Sequence, residues 1–413
     1  MNPLSQLPAC LAVVLALAVA RATAALPASA APATLETSSA KPGDEPAGPS
    51  APLKQAVQLS GRVEDPEFQG ILKEQLVVFL LQRGFFERAE SLAGSVPEYR
   101  GGIALAEVAA ARARRDAGED IAPLLERALS QSGFPHPWQA DAIRAEVAIA
   151  WAAAGRDDRA GEVAQGISDQ AAGLCAKAGI AVERERRGEA LEPTTFALPG
   201  AADKIAPELL FAARAAIEIA EARLEKKAPV SEIAPLCEQA EEIVRACKAT
   251  AGEEWLDLGI LWRKLGDVKK SGALVSQAIQ HLAPGSEMQG WRPGYFAKIV
   301  RLYKDGDDAT RVPAMLEVAR KGIEKQHAFH QVPGYCQLAE AELASGAPEA
   351  AAATWEKAVG VALANPNPDS RYLGAGLVLF SMARTDQEIS EKMATLLAPL
   401  SPPAKSEAPA VEK

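Results

Sequence analysis

The sequence is poor in aromatic residues and has no excess of positive charge. Aromatic residues make up 5% of the 413 residues although 48% of the chain is hydrophobic, so alanine carries much of the apolar content. Small side chains allow helices to pack closely without a loss of helix propensity, which favours an all-α fold. The formal net charge is -10, whereas nucleic-acid affinity depends on basic side chains that neutralise phosphates. We therefore expect no nucleic acid among the partners.

Cysteine and histidine are few and scattered. Five cysteines and four histidines occur, and their spacing matches neither a metal site nor a disulfide framework. His327 and His330 are fewer ligands than a site requires, so we interpret them as helix-end or solvated residues. If one helix carries both Cys237 and Cys247, their Cα atoms are about 15 Å apart, too far for a disulfide. We expect no metal and no cofactor.

An apolar run near the N-terminus is too short to span a membrane. Ala9 to Ala20 has the length of a signal-peptide core, whereas a membrane-spanning helix needs about 20 residues. We predict a signal peptide over residues 1–24, export to the periplasm or the exterior, and no integral membrane span once the signal is removed. The Ala-, Pro- and Ser-rich residues 25–54 are predicted to be a flexible linker, and residues 401–413 a disordered tail.

Turn signals recur through residues 55–400. The second residues of these turns are separated by 33 to 40 residues: Gly84, Gly118, Gly155, Gly188, Lys227, Gly266, Gly306, Gly346 and Asp386. A helix, a tight turn, a second helix and a short link fit that period. We expect Pro123, Pro235 and Pro313 in the first turn of second helices, where a missing N–H costs little.

The unit at residues 252–284 carries the most specific motif. Its Trp255, Leu258 and Trp262 fall on one helical face, and Gly259 leaves room for the partner helix. With Gly266, this pattern resembles the tetratricopeptide repeat consensus. The unit at residues 332–364 supplies further matches: Tyr335, Gly346, Ala351, Trp355 and Ala358.

The resemblance implies a right-handed superhelical α-solenoid of about eight to nine antiparallel helix pairs. Its middle, residues 170–250, matches the motif poorly and is expected to be irregular. An unrelated alanine-rich helical bundle is the alternative, but it does not predict regular turn spacing.

The resemblance also places the first helices of successive pairs along a concave groove. The residues expected there are Leu256, Ile260, Arg263, Lys264, Phe296, Val300, Tyr303, Lys304, Cys336 and Glu340. We predict a mixed apolar and basic groove that binds a partner segment carrying acidic residues. Trp138 and Trp291 fall in links between units, where they either fill a gap or anchor a partner.

The pattern predicts a non-catalytic scaffold or adaptor of the cell envelope that binds other proteins or peptides, because no nucleophile, metal or phosphate motif is visible. Two alternatives remain. One is a self-assembling repeat protein, for which the apolar segment Tyr372 to Met382 is either a docking surface or, as we favour, a helix buried under Ile389 and Met393. The other is a glycan-acting enzyme with paired carboxylates, although we interpret the charged residues 112–115 and 183–187 as solvated helix faces.

Overall fold

The computed structural model describes residues 48–131, 134, 136–189, 206–247, 252–282, 294–305 and 309–400. All regular structure in these residues is helical, which confirms the all-α prediction. The predicted leader, most of the linker, the tail, Trp291 and Gly306 lie outside the described residues.

The α-helices follow one another along the chain with short connections. The first nine are α1 (Ala51–Ser60), α2 (Pro66–Gln82), α3 (Phe86–Ala93), α4 (Glu98–Arg115), α5 (Ala122–Ser130), α6 (Pro137–Ala153), α7 (Asp157–Gln165), α8 (Gln170–Arg187) and α9 (Ala206–Glu225). The remainder are α10 (Val230–Ala246), α11 (Gly252–Lys264), α12 (Val268–Leu282), α13 (Tyr295–Lys304), α14 (Val312–Glu324), α15 (Ala328–Ser345), α16 (Pro348–Leu363), α17 (Pro368–Arg384) and α18 (Glu391–Leu397). Because α1 begins at Ala51, the predicted linker boundary at residue 54 falls inside a helix and is wrong.

The chain forms two compact units. Of the described residues, those between 73 and 282 form the first unit, and residues 48–72 together with those between 294 and 400 form the second. In the first unit α4, α6, α8, α9 and α11 pack in succession, and in the second unit α13, α15, α17 and α1 do the same. We call these the first helices. A second helix packs beside most of them, such as α12 beside α11 and α16 beside α15.

Seven of the predicted turns share one backbone geometry. The φ angle is positive at Gly84, Gly155, Gly188, Lys227, Gly266, Gly346 and Asp386, with values from 54 to 100°. In each turn this residue donates its amide to the carbonyl three residues back, and the next amide reaches five residues back, as Gly266 does to Arg263 and Asp267 to Trp262. This is the Schellman motif, which ends a helix with a left-handed residue. These seven predicted turn positions are confirmed.

Two other boundary predictions have mixed outcomes. Pro123 and Pro313 lie at the first or second position of α5 and α14, as expected. Pro235 instead lies inside α10, which begins five residues earlier at Val230, so its assignment to a helix start is wrong. The turn at Gly118 lacks the positive φ of the other turns and closes through an Asp116 side-chain oxygen that accepts from the Gly118 amide at 2.9 Å.

Packing within the best pair follows from the motif residues. Trp255 and Trp262 are 8% and 6% exposed, and Leu258 is fully buried. A Cβ added at Gly259 would lie 2.7 Å from Val275 Cγ2 of α12, so only glycine allows this approach. In the pair α15 and α16, Tyr335 and Trp355 are the large buried side chains. The small and large residues of the motif therefore set how closely each pair packs.

Basic side chains link the ends of neighbouring first helices. Arg187 of α8 donates to the Ala152 carbonyl of α6, and Lys226, after α9, donates to the Glu185 carbonyl of α8. The last carbonyls of a helix lack partners within that helix, and cations are favourable there. These bonds place successive turns of the first unit side by side.

Candidate partner-binding surface

Part of the predicted groove lies at the surface of the first unit. Ile260 and Arg263 of α11 are half-buried, Lys264 is exposed, and Leu256 is fully buried. On the next helix Lys270 lies over the Trp262 ring, 3.7 Å from its centroid. We call Ile260, Arg263 and Lys264 the α11 row. It joins one apolar side chain to two positive charges.

Most groove residues of the second unit are buried, so their assignment to an open groove is wrong. Phe296 and Val300 of α13 are 1% and 0% exposed, and Cys336 and Glu340 of α15 are each 1% exposed. The physical reason is that α13, α15 and α17 pack directly on one another. Such faces form a helix–helix interface and leave no surface for a partner.

Two predicted groove residues of the second unit do reach solvent. Tyr303 is half-buried and Lys304 is exposed. The Lys304 ammonium donates to the Ala344 carbonyl at 3.3 Å, at the end of α15. Lys304 therefore has the same helix-capping contact as Arg187 and Lys226.

Glu340 belongs to a buried polar cluster. Its carboxylate accepts from Ser381 Oγ at 2.8 Å and from Arg384 at 2.9 Å, and both partners are on α17. The Trp355 indole of α16 donates to the same Ser381 hydroxyl at 3.0 Å. Three helices are thus joined through one serine and one glutamate. Since buried polar groups require partners, this cluster fixes the relative positions of α15, α16 and α17.

A second buried carboxylate lies in the first unit at Glu183 of α8. Arg114 of α4 donates to it at 2.7 Å, and Arg186 of α8 donates at 2.6 Å. Burial alone would raise the pKa of Glu183, but the two guanidinium charges and their hydrogen bonds outweigh burial and lower the pKa to about 2. The carboxylate is therefore ionised at all ordinary pH values.

Similar ion pairs connect other first helices of the first unit. Arg223 of α9 donates to Glu185 of α8 at 3.1 Å, and Arg214 of α9 donates to Glu254 of α11 at 2.5 Å. Glu183 and Glu185 are 2% and 4% exposed. The interpretation of residues 183–187 as a solvated helix face is wrong for these two acids. Sequence reasoning missed the pairs because their partners are some 38 to 69 residues away.

The enzyme alternative predicts perturbed acids in a polar cleft, and among the described acids Glu74 has a raised pKa. Burial raises the pKa of Glu74 on α2; the Arg100 charge opposes this, and Glu146 adds to it. However, Glu74 is only 3% exposed, and Arg100 contacts it at 2.5 Å. A substrate cannot reach a carboxylate enclosed in this way. The described geometry of Glu74 corresponds to a structural ion pair.

The histidines and the cysteine that the structure describes in the second unit differ in exposure. His327 and His330 are exposed, whereas Cys336 is 1% exposed. His327 Nδ1 accepts from the Phe329 amide at 3.3 Å and so caps the start of α15. In the part of the chain that the structure describes, no group of three or more possible metal ligands occurs. The described cysteines, Cys175, Cys237, Cys247 and Cys336, are all buried.

Trp138 lies in the second position of α6, so its assignment to a link is wrong. Its ring meets Tyr99 of α4 edge-on, with centroids 5.1 Å apart. It also stacks on His136 with centroids 6.4 Å apart. The side chain is half-buried, which fits a residue that fills the space between α4 and α6.

No protein-family model, curated protein or solved structure matches the chain. Among the described helices, none combines the length and apolar character needed to cross a membrane. Function must therefore be argued from the described surface alone. Within the predicted groove set, that surface consists of the α11 row in the first unit and of Tyr303 and Lys304 in the second.

Proposed function

We propose that the chain is a non-catalytic protein-interaction scaffold or adaptor of the cell envelope. In this proposal the helix pairs form a tetratricopeptide-like, right-handed superhelical array of about eight to nine pairs, exported by the leader at residues 1–24. The observation that carries the proposal is the shared Schellman geometry of seven turns. Repetition of one pair-forming unit is the mark of solenoids, which present extended binding surfaces.

The buried ion pairs support a rigid scaffold. Glu183, Glu185 and Glu340 each tie one first helix to another. Charged and hydrogen-bonded pairs in a low-dielectric interior have strict geometry. A scaffold with fixed helix positions loses little conformational entropy when a partner binds.

The proposed docking surface is the α11 row. Ile260 supplies apolar area, and Arg263 and Lys264 supply positive charge at the end of the same helix. A partner segment with an apolar residue flanked by acids is complementary to it, and complementary charge mainly gives specificity and faster association. The predicted partner, a segment that carries acidic residues, is unchanged. Its proposed docking surface is restricted to the groove residues of α11 that reach the surface.

The test is the double variant Arg263→Glu, Lys264→Glu, compared with wild type by crosslinking and mass spectrometry in intact cells. The matched control is Lys269→Glu, which reverses an exposed charge on α12 of the same pair. We expect the crosslinked partner to disappear in the double variant and to persist in the control. An unchanged partner in both would contradict the docking surface, and recovery only with cytoplasmic proteins would contradict export.

A further inference from the structure

The N-terminal segment of the second unit packs against a helix that is remote from it in sequence. Residues 48–72, which we call the cap, belong to the second unit, whereas the residues that follow belong to the first. Within the cap, α1 packs on α17. The cap thus occupies the side of α17 on which a further first helix would stack.

The cap is seated by apolar side chains. Leu53 and Leu59 of α1 are each 2% exposed, and Ala56 between them is fully buried. Further along the cap, a Cβ added at Gly376 of α17 would lie 2.6 Å from Leu72 Cδ2. The glycine therefore provides the space that Leu72 fills.

Polar contacts fix the register of the cap. Arg62 donates to the Leu400 carbonyl and lies 5.2 Å from the Tyr372 ring centroid. The Glu64 amide donates to Asp369 Oδ1 at 2.7 Å. Asp369, Tyr372 and Gly376 are spaced i, i+3 and i+7, so they share one face of α17. We call this face the seat.

We propose that the cap is exchangeable, so that the seat of one copy binds the cap of a second copy of this chain. The occupant follows from complementarity, because a second copy presents the same leucines, the same Arg62 and the same Glu64 amide. Exchange of an identical element between protomers is a low-cost route to a dimer. The proposal does not depend on the α11 row or on the proposed adaptor function.

The cap of the same chain binds the seat more readily than the cap of a second copy does. The cap and the seat of one molecule are covalently joined through residues 73–368, so their contact is intramolecular and independent of protein concentration. Exchange therefore requires either a high protein concentration or a blocked intramolecular contact. The test therefore uses two full-length variants that cannot close on themselves. Variant A carries Leu53→Asp and Leu59→Asp in the cap, with an intact seat. Variant B carries Gly376→Leu in the seat, with an intact cap.

The measurement is the mass of the mixture by size-exclusion chromatography with light scattering. We expect A and B each to be monomeric and the mixture to form a 1:1 complex of twice the monomer mass. The control is a variant with both the cap and the seat changed, which should form no complex with A. A mixture of A and B that stays monomeric while both remain folded would overturn the proposal.

A second measurement covers the case in which variant A does not fold alone. A synthetic peptide of residues 48–72 should bind A, restore its cooperative thermal unfolding and fail to bind B. The same peptide with Leu53→Asp and Leu59→Asp should not do so. If the wild-type peptide neither binds A nor restores its unfolding transition, the seat does not accept a cap from another molecule and the proposal is wrong.

Discussion

The pairs α11–α12 and α15–α16 carry the same motif but have different surroundings. Gly266 and Gly346 end their first helices with the same left-handed turn. Counting back from these glycines, Ile260 and Glu340 occupy equivalent positions. Ile260 is half-buried, whereas Glu340 is 1% exposed and bonded to Arg384. The motif therefore determines how the two helices of a pair pack, whereas the neighbouring helix determines whether the other face of the first helix is buried.

The largest expected effect separates these two equivalent positions. Glu340→Ala leaves Arg384, whose side chain is 13% exposed, without its carboxylate partner. Breaking a buried pair in this way costs about 3 to 5 kcal/mol. Ile260→Glu, which places the same residue type at the equivalent position, should cost less, about 1 to 2 kcal/mol, because only part of the Ile260 side chain is buried. Urea unfolding followed by circular dichroism measures both, and equal effects would contradict the comparison.

The next effect tests whether a buried carboxylate of the first unit behaves like Glu340. The folded-state pKa of Glu183 is about 2, below the ordinary value of 4.5. Its stabilising contribution is therefore complete above pH 4.5 and is lost as the pH falls towards 2. The loss amounts to at most about 3 kcal/mol, since one pKa unit corresponds to about 1.4 kcal/mol.

Unfolding measured from pH 6 to pH 2 should show this loss in the wild type and a shallower decline in Glu183→Gln. The matched control is Glu126→Gln, which removes an exposed carboxylate and should keep the wild-type slope. Identical slopes in all three proteins would show that Glu183 is not held ionised by Arg114 and Arg186.

A smaller effect concerns the close approach within α11–α12. Gly259→Ala should destabilise the protein by about 1 to 3 kcal/mol because the added methyl group overpacks against Val275. The equivalent residue of the other pair is Ala339, which is fully buried. Gly272→Ala on α12, where nothing lies within 4 Å of an added Cβ, should instead stabilise by about 0.5 to 1 kcal/mol.

Thermal unfolding distinguishes these variants. Val275→Ala, combined with Gly259→Ala, should recover part of the loss because it removes the atom nearest the new methyl group. If Gly259→Ala and Gly272→Ala had the same sign, close packing would not be the reason for glycine in the motif.

The smallest effects concern the shared turns. Gly266→Ala and Gly346→Ala should each cost about 1 kcal/mol, because a Cβ disfavours the left-handed conformation. Lys227→Gly and Asp386→Gly should each stabilise by up to about 1 kcal/mol for the same reason. Opposite signs in chemical denaturation would support one common turn geometry. If the two substitutions to alanine and the two substitutions to glycine changed stability in the same direction, a common turn geometry would be contradicted.

Local features of the fold were predictable from the sequence. The turn positions at Lys227 and Asp386 follow from spacing alone, and the structure shows that both residues are left-handed although neither is glycine. The role of Gly259 follows from its position between Trp255 and Trp262 on α11. Burial of the apolar segment is also confirmed from Leu373 to Met382, whereas Tyr372 is half-buried. Helices α1, α15 and α16 pack against α17.

Features that depend on distant residues were not predictable. Glu183 meets Arg114 across 69 positions, and Glu64 meets Asp369 across 305. Neither pairing leaves a periodic signal, because one charged side chain among many on a helix does not indicate its partner. The groove assignment of Phe296 and Glu340 was wrong for the same reason. Whether the groove-facing side of a first helix is buried depends on which other helix packs against it.

The most direct test of the account is site-specific photo-crosslinking in intact cells. A photoreactive amino acid replaces Ile260 in the α11 row or, as the control, Val318 of α14, which is 69% exposed. The account predicts a defined protein adduct at position 260 and none at position 318. Adducts of equal yield at both positions, or an adduct only at position 318, would contradict partner docking at the α11 row.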